Sequence, residues 1–163
     1  MKKQLIIWMC TLVFGLTMHL QAQDIPIIED FATLEAQMNQ PTDTLVVYNF
    51  WATWCRPCVA ELPYFEKLNQ EYAEKKVKVV LVSLDIESMG ANLPVFVQRL
   101  GLQSEVVHLT DGKQNDWIPK INESWGGAIP ATLIKMPEKD IHAFKAQSFT
   151  YEELKIWVDE LLK

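Results

Sequence analysis

The sequence LVVYNFWATWCRPC occupies residues 45–58 and carries the strongest structural signal in the chain. Its first half is almost continuously apolar and rich in β-branched and aromatic residues, which predicts a strand covered on both faces. Cys55 and Cys58 follow after a short turn, and an apolar stripe with helical spacing then continues from Val59 to about Glu74. The segment is therefore predicted to run from a buried strand, through a turn, into a helix.

On either side of this segment, helical and strand patterns alternate. Helix-spaced apolar residues predict further helices at 31–38, 89–100, 115–122 and 150–162, the second of them with a break near Pro94. Apolar, β-prone runs predict further strands at 77–84, 105–109, 131–136 and 140–146. Residues 24–29 are expected to form a lead-in without regular structure. Alternation of this kind predicts a single α/β domain with a central mixed sheet and helices on both faces.

Length and composition are those of one globular domain. The chain has 163 residues, of which 49% are hydrophobic and 22% are charged, a balance that argues against disorder. The formal net charge is −6, and beyond the N-terminal segment the basic residues form no run longer than Lys75-Lys76. Binding to nucleic acid usually needs a positive patch, so we expect no nucleic-acid partner.

The N-terminal segment has the pattern of a secretory signal. Two lysines near the N-terminus precede an apolar stretch at residues 5–20, and a small residue, Ala22, follows. This order predicts a signal peptide over residues 1–22 and a mature domain over 23–163. The alternative is an uncleaved membrane anchor, with residues 5–20 as the tether. Either way the domain is expected to be exported to a periplasmic or other extracytoplasmic compartment, where disulfides persist.

The two cysteines stand where thiol chemistry is favoured. Cys55 is predicted to lie at the N-terminus of the helix, where free N–H groups and the helix dipole stabilise a thiolate. Arg56 adds a positive charge, Pro57 suits the first helical turn, and Cys58 lies one turn further on the same face. We therefore expect Cys55 to attack a disulfide and Cys58 to resolve the mixed disulfide.

Three other interpretations of the cysteine pair stay open. The pair could be a fixed bridge in a non-catalytic binding module, or Cys55 could serve a thiol peroxidase. A zinc site usually needs four ligands, and beyond the signal segment only His108 and His142 could join the two cysteines as soft ligands. We therefore expect neither a metal nor a cofactor.

The motif FWATWCRPC at residues 50–58, with Glu61 and Pro63 after it, resembles the thioredoxin superfamily. Within that superfamily the chain resembles the TlpA/ResA-type exported thioredoxins, more loosely over residues 29–163. The resemblance implies the thioredoxin fold and a thiol-disulfide oxidoreductase. It also implies a reductant that acts on protein disulfide or dithiol substrates, or on small thiols, and is fed by an upstream electron donor. A disulfide-donating oxidase is the alternative.

The resemblance also implies a proton-transfer role for Glu61. Plain thioredoxins carry a buried aspartate before the Phe-Trp-Ala run, whereas this chain has Asn49, which cannot titrate. Relatives of the ResA kind carry a glutamate three residues after the second cysteine, and here that residue is Glu61. A poorly hydrated carboxyl there would have a raised pKa and could shuttle the proton of Cys58. The alternative is a solvated helix glutamate.

The remaining site residues are implied to bind substrate. Pro130 is implied to follow a cis peptide bond opposite the cysteines, with the backbone of Ile129 bonded to an extended substrate peptide. Trp54 is expected to be an exposed apolar flank of the thiols. Arg56 and Pro57 lie between the cysteines, where they would contact the substrate and tune the reduction potential.

Overall fold

The computed structural model describes residues 24–90 and 92–163, without the side chains of Glu87 and Met89. The signal peptide predicted over residues 1–22 lies outside this described part. Among the helices that are described, none has both the length and the apolar character needed to cross a bilayer.

A single mixed sheet forms the centre of the domain. The part of the chain that the structure describes supplies six strands: β1 (Ile27–Ile28), β2 (Leu45–Trp51), β3 (Val77–Ser83), β4 (Glu105–Leu109), β5 (Ala131–Met136) and β6 (Ile141–Lys145). Their order across the sheet is β1-β4-β3-β2-β5-β6. The first four strands in this order are parallel, β5 runs antiparallel to β2, and β6 runs antiparallel to β5. The predicted mixed sheet is confirmed.

Helices connect most of the strands. They are α1 (Phe31–Met38), α2 (Arg56–Tyr72), α3 (Glu87–Gly90), α4 (Leu93–Leu100), α5 (Gln114–Ile121) and α6 (Tyr151–Leu161). Local capping explains where two of them begin. Asp30 accepts a hydrogen bond from the Ala32 backbone N–H at 2.9 Å, and Thr150 and Glu153 form a reciprocal capping box at the start of α6.

The sheet has an apolar core on each face. Val47 and Trp51 of β2 pack in one core with helices α2, α4 and α6. Tyr48 and Phe50 point the other way, into a second core with α1 and α5. Successive side chains of a strand alternate between faces, so a continuously apolar β2 requires cover on both sides. The predicted helices on both faces are therefore confirmed.

One local prediction was wrong. Residues 24–29, expected to be irregular, contain β1, which pairs with β4 through Ile27 and His108. A two-residue strand is too short to show a periodic pattern. The break predicted near Pro94 is confirmed, because α3 ends at Gly90 and α4 begins at Leu93 with Pro94 in its first turn. A proline there loses no helical hydrogen bond, so it suits a helix start.

Candidate active site

The cysteine pair lies where β2 passes into α2. Cys55 is the N-cap residue of α2, and its Sγ accepts a hydrogen bond from the Cys58 backbone N–H at 3.4 Å. The two sulfurs form a disulfide with an S–S distance of 2.05 Å. Cys55 is 6% exposed, whereas Cys58 is completely buried. An incoming sulfur can therefore reach Cys55 but not Cys58.

The turn before Cys55 is held by a buried carboxylate. The backbone N–H of Thr53 lies 3.2 Å from each carboxylate oxygen of Asp85, and the Thr53 hydroxyl donates to Asp85 Oδ1 at 2.6 Å. The hydroxyl of Ser83 donates to Oδ2 at 2.8 Å. Asp85 is only 1% exposed, so these donors replace the water that its carboxylate loses on folding.

Asp85 was not predicted as a site residue. It follows β3, two residues after that strand ends, and β3 is the parallel neighbour of β2. Groups that follow adjacent parallel strands gather at the same edge of a sheet, where functional sites form in α/β proteins. An acidic residue just after a buried strand was therefore a signal that could have identified it.

The loop that precedes β5 reaches the disulfide. The Ile129-Pro130 peptide bond is cis, as the resemblance implied, and Pro130 is buried just before β5. The carbonyl oxygen of Ile129 lies 3.9 Å from Cys55 Sγ. The structure thus brings together the predicted cysteine and loop residues.

The exposed surface around Cys55 comes from its sequence neighbours. Trp54 is 56% exposed, and Arg56 and Pro57 are exposed as well. Trp51, by contrast, is fully buried against Phe96, with 5.9 Å between ring centroids. One tryptophan of the motif therefore packs under the site, and the other forms an apolar surface next to the reachable sulfur.

Trp125 supports the loop that contains the cis peptide bond. Its indole Nε1–H donates to the Ala128 carbonyl oxygen at 2.8 Å. Its ring packs against Phe50, with 5.1 Å between centroids, and against Phe144 at 5.4 Å. Nothing in the local sequence pattern around Trp125 shows which carbonyl its indole would meet. The contact holds the backbone next to Ile129.

Glu61 is buried within a polar network behind the cysteines. It is 2% exposed, so the alternative of a solvated helix glutamate is wrong. Its Oε1 accepts a hydrogen bond from Asn49 Nδ2 at 3.0 Å, and its Oε2 accepts one from the Phe149 backbone N–H at 2.8 Å. Asn49 Nδ2 also contacts Thr132 Oγ1 at 3.3 Å. The carboxyl is thereby tied to β2, to β5 and to the segment before α6.

Burial changes the acidity of this carboxyl. Desolvation raises the pKa of Glu61 to about 7, because the apolar surroundings disfavour the charged form. The hydrogen bonds from Phe149 and Asn49 favour the charged form and oppose this rise, but they are the smaller effects. Near neutral pH the group therefore populates both states, as a proton donor and acceptor requires.

The two histidines of the described residues, His108 and His142, each contact a backbone carbonyl oxygen. A ring nitrogen of His108 lies 2.8 Å from the Asp85 carbonyl oxygen, and one of His142 lies 2.8 Å from the Ile121 carbonyl oxygen. Within residues 24–90 and 92–163, no group of three or more His, Cys, Asp or Glu side chains is arranged to hold a metal ion.

The sequence is similar to those of known proteins. Residues 29–122 match the Redoxin family. The chain is 36% identical over 118 residues to the thiol-disulfide oxidoreductase ResA of Oceanobacillus iheyensis, which covers 71% of this chain and 56% of the relative. It is 25% identical over 130 residues to ResA of Geobacillus thermodenitrificans, and this match covers 79% of this chain and 70% of the relative. The chain thus spans little more than half the length of the first of these relatives.

Solved structures show the same fold. The crystal structure of StoA from Bacillus subtilis superimposes with a TM-score of 0.57 at 25% identity, over 73% of this chain and 85% of StoA. A thioredoxin-related protein from Neisseria meningitidis serogroup B superimposes with a TM-score of 0.64 at 20% identity, over 76% of this chain and 87% of that protein. These likenesses confirm the predicted thioredoxin fold.

Proposed function

The chain belongs to the Redoxin family, as a ResA-type member of the thioredoxin superfamily, and we propose that it is a thiol-disulfide oxidoreductase acting through Cys55 and Cys58. The observation that carries the proposal is the disulfide at the N-terminus of α2, with one reachable sulfur and one buried sulfur. A helix N-terminus stabilises the thiolate that must form when this bond is reduced. A purely structural disulfide would need neither the helix N-terminus nor the unequal exposure of its two sulfurs.

In the reduced protein, the Cys55 thiolate attacks one sulfur of a substrate disulfide and expels the other sulfur as a thiolate. Cys58 then loses its proton and attacks Cys55 Sγ, which releases the second substrate thiolate and leaves the Cys55–Cys58 disulfide. Two electrons pass from the protein to the substrate, and the substrate thiolates take up protons. The electrons reside in the cysteine pair, so the reaction needs no further cofactor.

Glu61 is proposed to accept the proton of Cys58. The two residues are three apart on α2 and therefore share a helix face, and both are buried. No solvent can take the Cys58 proton directly, so an internal acceptor with a pKa of about 7 is suited to the step. Asn49 holds the acceptor carboxyl in place without titrating itself.

The substrate is proposed to be a protein segment rather than a free small thiol. The Ile129 carbonyl next to Cys55 offers a backbone acceptor to an extended peptide, and exposed Trp54 offers an apolar contact beside it. Arg56 and Pro57 complete the exposed surface between the cysteines. Pro130 sets the direction of the loop that presents Ile129.

We further propose that the protein works outside the cytoplasm as a reductant and that an upstream donor reduces it again. The signal-like N-terminal sequence supports export, with a tether through residues 5–20 as the alternative to cleavage. The resemblance to reducing relatives supports the direction. A disulfide-donating oxidase is the competing proposal, and the reduction potential separates the two.

The test is to equilibrate the protein with glutathione or dithiothreitol buffers and measure the potential of the Cys55–Cys58 pair. A value near about −270 mV supports a reductant, and one near about −120 mV supports an oxidase. A pair that does not exchange with either buffer, with Cys55 unreactive towards alkylation after forced reduction at neutral pH, would contradict catalysis and favour a binding module. Peroxide consumption at a rate above that of disulfide exchange would favour a peroxidase.

A further inference from the structure

Asp85 is a second buried carboxyl near the cysteines, and the mechanism above does not use it. Its two oxygens receive the Thr53 backbone N–H, the Thr53 hydroxyl and the Ser83 hydroxyl. A set made of donors suits an ionised carboxylate, which only accepts hydrogen bonds. Of the ion pairs formed by the described residues, none includes Asp85. The negative charge is therefore solvated by dipoles and is not cancelled by a cation.

This charge is held against the turn that carries the attacking sulfur. Thr53 precedes Cys55 by two residues, and the Cys55 backbone N–H bonds back to the Ala52 carbonyl at 3.1 Å, which keeps the turn compact. The Thr53 nitrogen lies 3.2 Å from the carboxylate and the chain from there to Cys55 Sγ spans at most about 12 Å, so the carboxylate and the sulfur are separated by no more than about 15 Å. The carboxylate is 1% exposed, and buried charges are screened far less than surface charges.

The elements around Asp85 leave its charge in place. The turn between β2 and α2 presents Thr53, and β3 presents Ser83, neither of which is charged. β4 presents His108, whose Nε2 lies 2.8 Å from the Asp85 backbone carbonyl, so it contacts the main chain of Asp85. The His108 ring packs so closely on Gly90 that a Cβ at position 90 would lie 2.1 Å from Cε1. The hydrogen bond of His108 holds the backbone from which the carboxylate projects.

We propose that Asp85 is a positioning residue that clamps the turn carrying Trp54 and Cys55, and that its fixed negative charge lowers the reduction potential of the Cys55–Cys58 disulfide. Reduction takes up two electrons and one proton, which leaves Cys58 as a thiol and Cys55 as a thiolate, so one negative charge is added on the side of Asp85. Repulsion between the two anions disfavours the reduced form, and a disulfide that is harder to reduce belongs to a stronger reductant once reduced. This inference rests on the proposed function, and it attributes the proposed reductant direction to the charge of Asp85.

The test compares Asp85→Asn with a matched control, Ser83→Ala. Asparagine keeps the shape of the side chain and one acceptor but removes the charge. Alanine at position 83 removes a hydrogen bond to the same carboxylate and keeps the charge. The measurements are the reduction potential in glutathione buffers, the pH midpoint of Cys55 alkylation in the reduced protein, and the melting temperature.

We expect Asp85→Asn to shift the glutathione equilibrium about 3- to 10-fold towards the reduced form, which raises the potential by about 15–30 mV. Its alkylation midpoint should move to lower pH, because the thiolate loses a repulsive neighbour. Ser83→Ala should lower the melting temperature and leave the potential and midpoint at wild-type values. If Asp85→Asn does not fold, Asp85→Ser also removes the charge and should produce the same shifts.

Two outcomes would overturn the inference. Equal potentials in the wild type and the neutral variants, with only the melting temperature lowered, would make Asp85 a structural clamp alone. A lowered potential on removal of the charge would reverse the proposed sign. The alkylation midpoint needs no substrate, so it separates this failure from that of the proposed function, which would appear as a wild-type disulfide that does not exchange at all.

Discussion

The carbonyl oxygen of Ile129 lies 3.9 Å from Cys55 Sγ, although the two residues are 74 positions apart in the chain. The antiparallel pairing of β2 with β5 produces this contact, because Phe50 near the end of β2 is the register partner of Ala131 at the start of β5. A disulfide that binds at Cys55 would therefore lie beside the Ile129 backbone.

The two cysteines should behave differently when each is changed to serine. Cys58→Ser leaves the 6%-exposed Cys55 able to attack but removes the resolving thiol, so mixed disulfides should accumulate with oxidised glutathione or an oxidised protein partner. Cys55→Ser leaves only the completely buried Cys58, so little adduct should form. Mass spectrometry and non-reducing gels measure the adducts. Stronger adduct formation in Cys55→Ser would reverse the assigned order.

The indole N–H of Trp125 should matter for substrate binding. Trp125→Phe keeps an aromatic ring in the core but loses the 2.8 Å hydrogen bond to Ala128, which adjoins Ile129. We expect KM for a protein disulfide to rise several-fold, while the rate of reaction with dithiothreitol, which needs no peptide contact, changes little. The loss of the buried hydrogen bond should also lower the free energy of unfolding by about 1–3 kcal/mol.

Trp117→Phe is the matched control for Trp125→Phe. Trp117 is similarly buried and packs on Trp125, with 6.0 Å between ring centroids, but its indole N–H donates to the Asp111 carbonyl oxygen at 3.2 Å and not to the loop of Ile129. It should show a comparable loss of stability and an unchanged KM. If both variants raise KM equally, the effect of Trp125 comes from general loosening of the core rather than from positioning of the loop.

Glu61→Gln should slow the exchange reaction by about 10²-fold if Glu61 is the acid–base group for Cys58. With a pKa of about 7, the wild-type carboxyl gains its accepting form as pH rises through neutrality, so the oxidation of the reduced protein should accelerate there. The variant should lack this inflection. Stopped-flow measurements between pH 5 and 9 test the prediction, and superimposable rate–pH curves would remove Glu61 from the mechanism.

Glu66→Gln is the control for the kinetic experiment. Glu66 is also a buried carboxyl of α2, 8% exposed, but it accepts hydrogen bonds from the backbone N–H groups of Gln103 and Ser104 in the loop after α4. Glu66→Gln should affect the stability of the protein and leave the rate–pH profile of the exchange reaction unchanged. A profile altered equally by both variants would point to damage of α2 rather than to proton transfer.

The stability of the oxidised protein should depend on pH through Glu61. Because burial raises its folded-state pKa from 4.5 to about 7, the native state holds its proton over a range in which the unfolded state has lost it. The free energy of unfolding should therefore fall as pH rises from about 4.5 to about 7, by at most roughly 3 kcal/mol. Urea unfolding of the wild type and Glu61→Gln at pH 5 and pH 8 measures the difference, which the variant should lack.

Glutamine can replace this carboxyl without a steric clash. Its Oε1 can accept the Phe149 N–H, and its amide can face Asn49, which can rotate to present its own oxygen. The variant should therefore be as stable as the wild type at pH 5 and more stable at pH 8. The difference in unfolding free energy between the wild type and Glu61→Gln should therefore change between pH 5 and pH 8. An unchanged difference would contradict a raised pKa for Glu61.

The sequence by itself determined the architecture and the reactive pair. Residues 45–58 combine a continuously apolar strand, a short turn and a helix start, and each of these is a local pattern set by backbone geometry and side-chain periodicity. The burial of β2 on both faces and the position of Cys55 at the N-cap of α2 follow from that segment alone. Glu61 was singled out by the resemblance to ResA-type relatives, which carry a glutamate three residues after the second cysteine, and its spacing from Cys58 places the two on one helix face.

Only the tertiary structure decided which polar groups meet behind the cysteines. Thr53 contacts Asp85 across 32 residues, and Glu61 contacts the Phe149 N–H across 88. No periodic pattern links such positions, because the alignment of strand ends and the entry into α6 are set by packing of the whole sheet. Burial of a carboxyl, and with it the pKa of Glu61 and the uncancelled charge of Asp85, depends on which side chains finally exclude water from it.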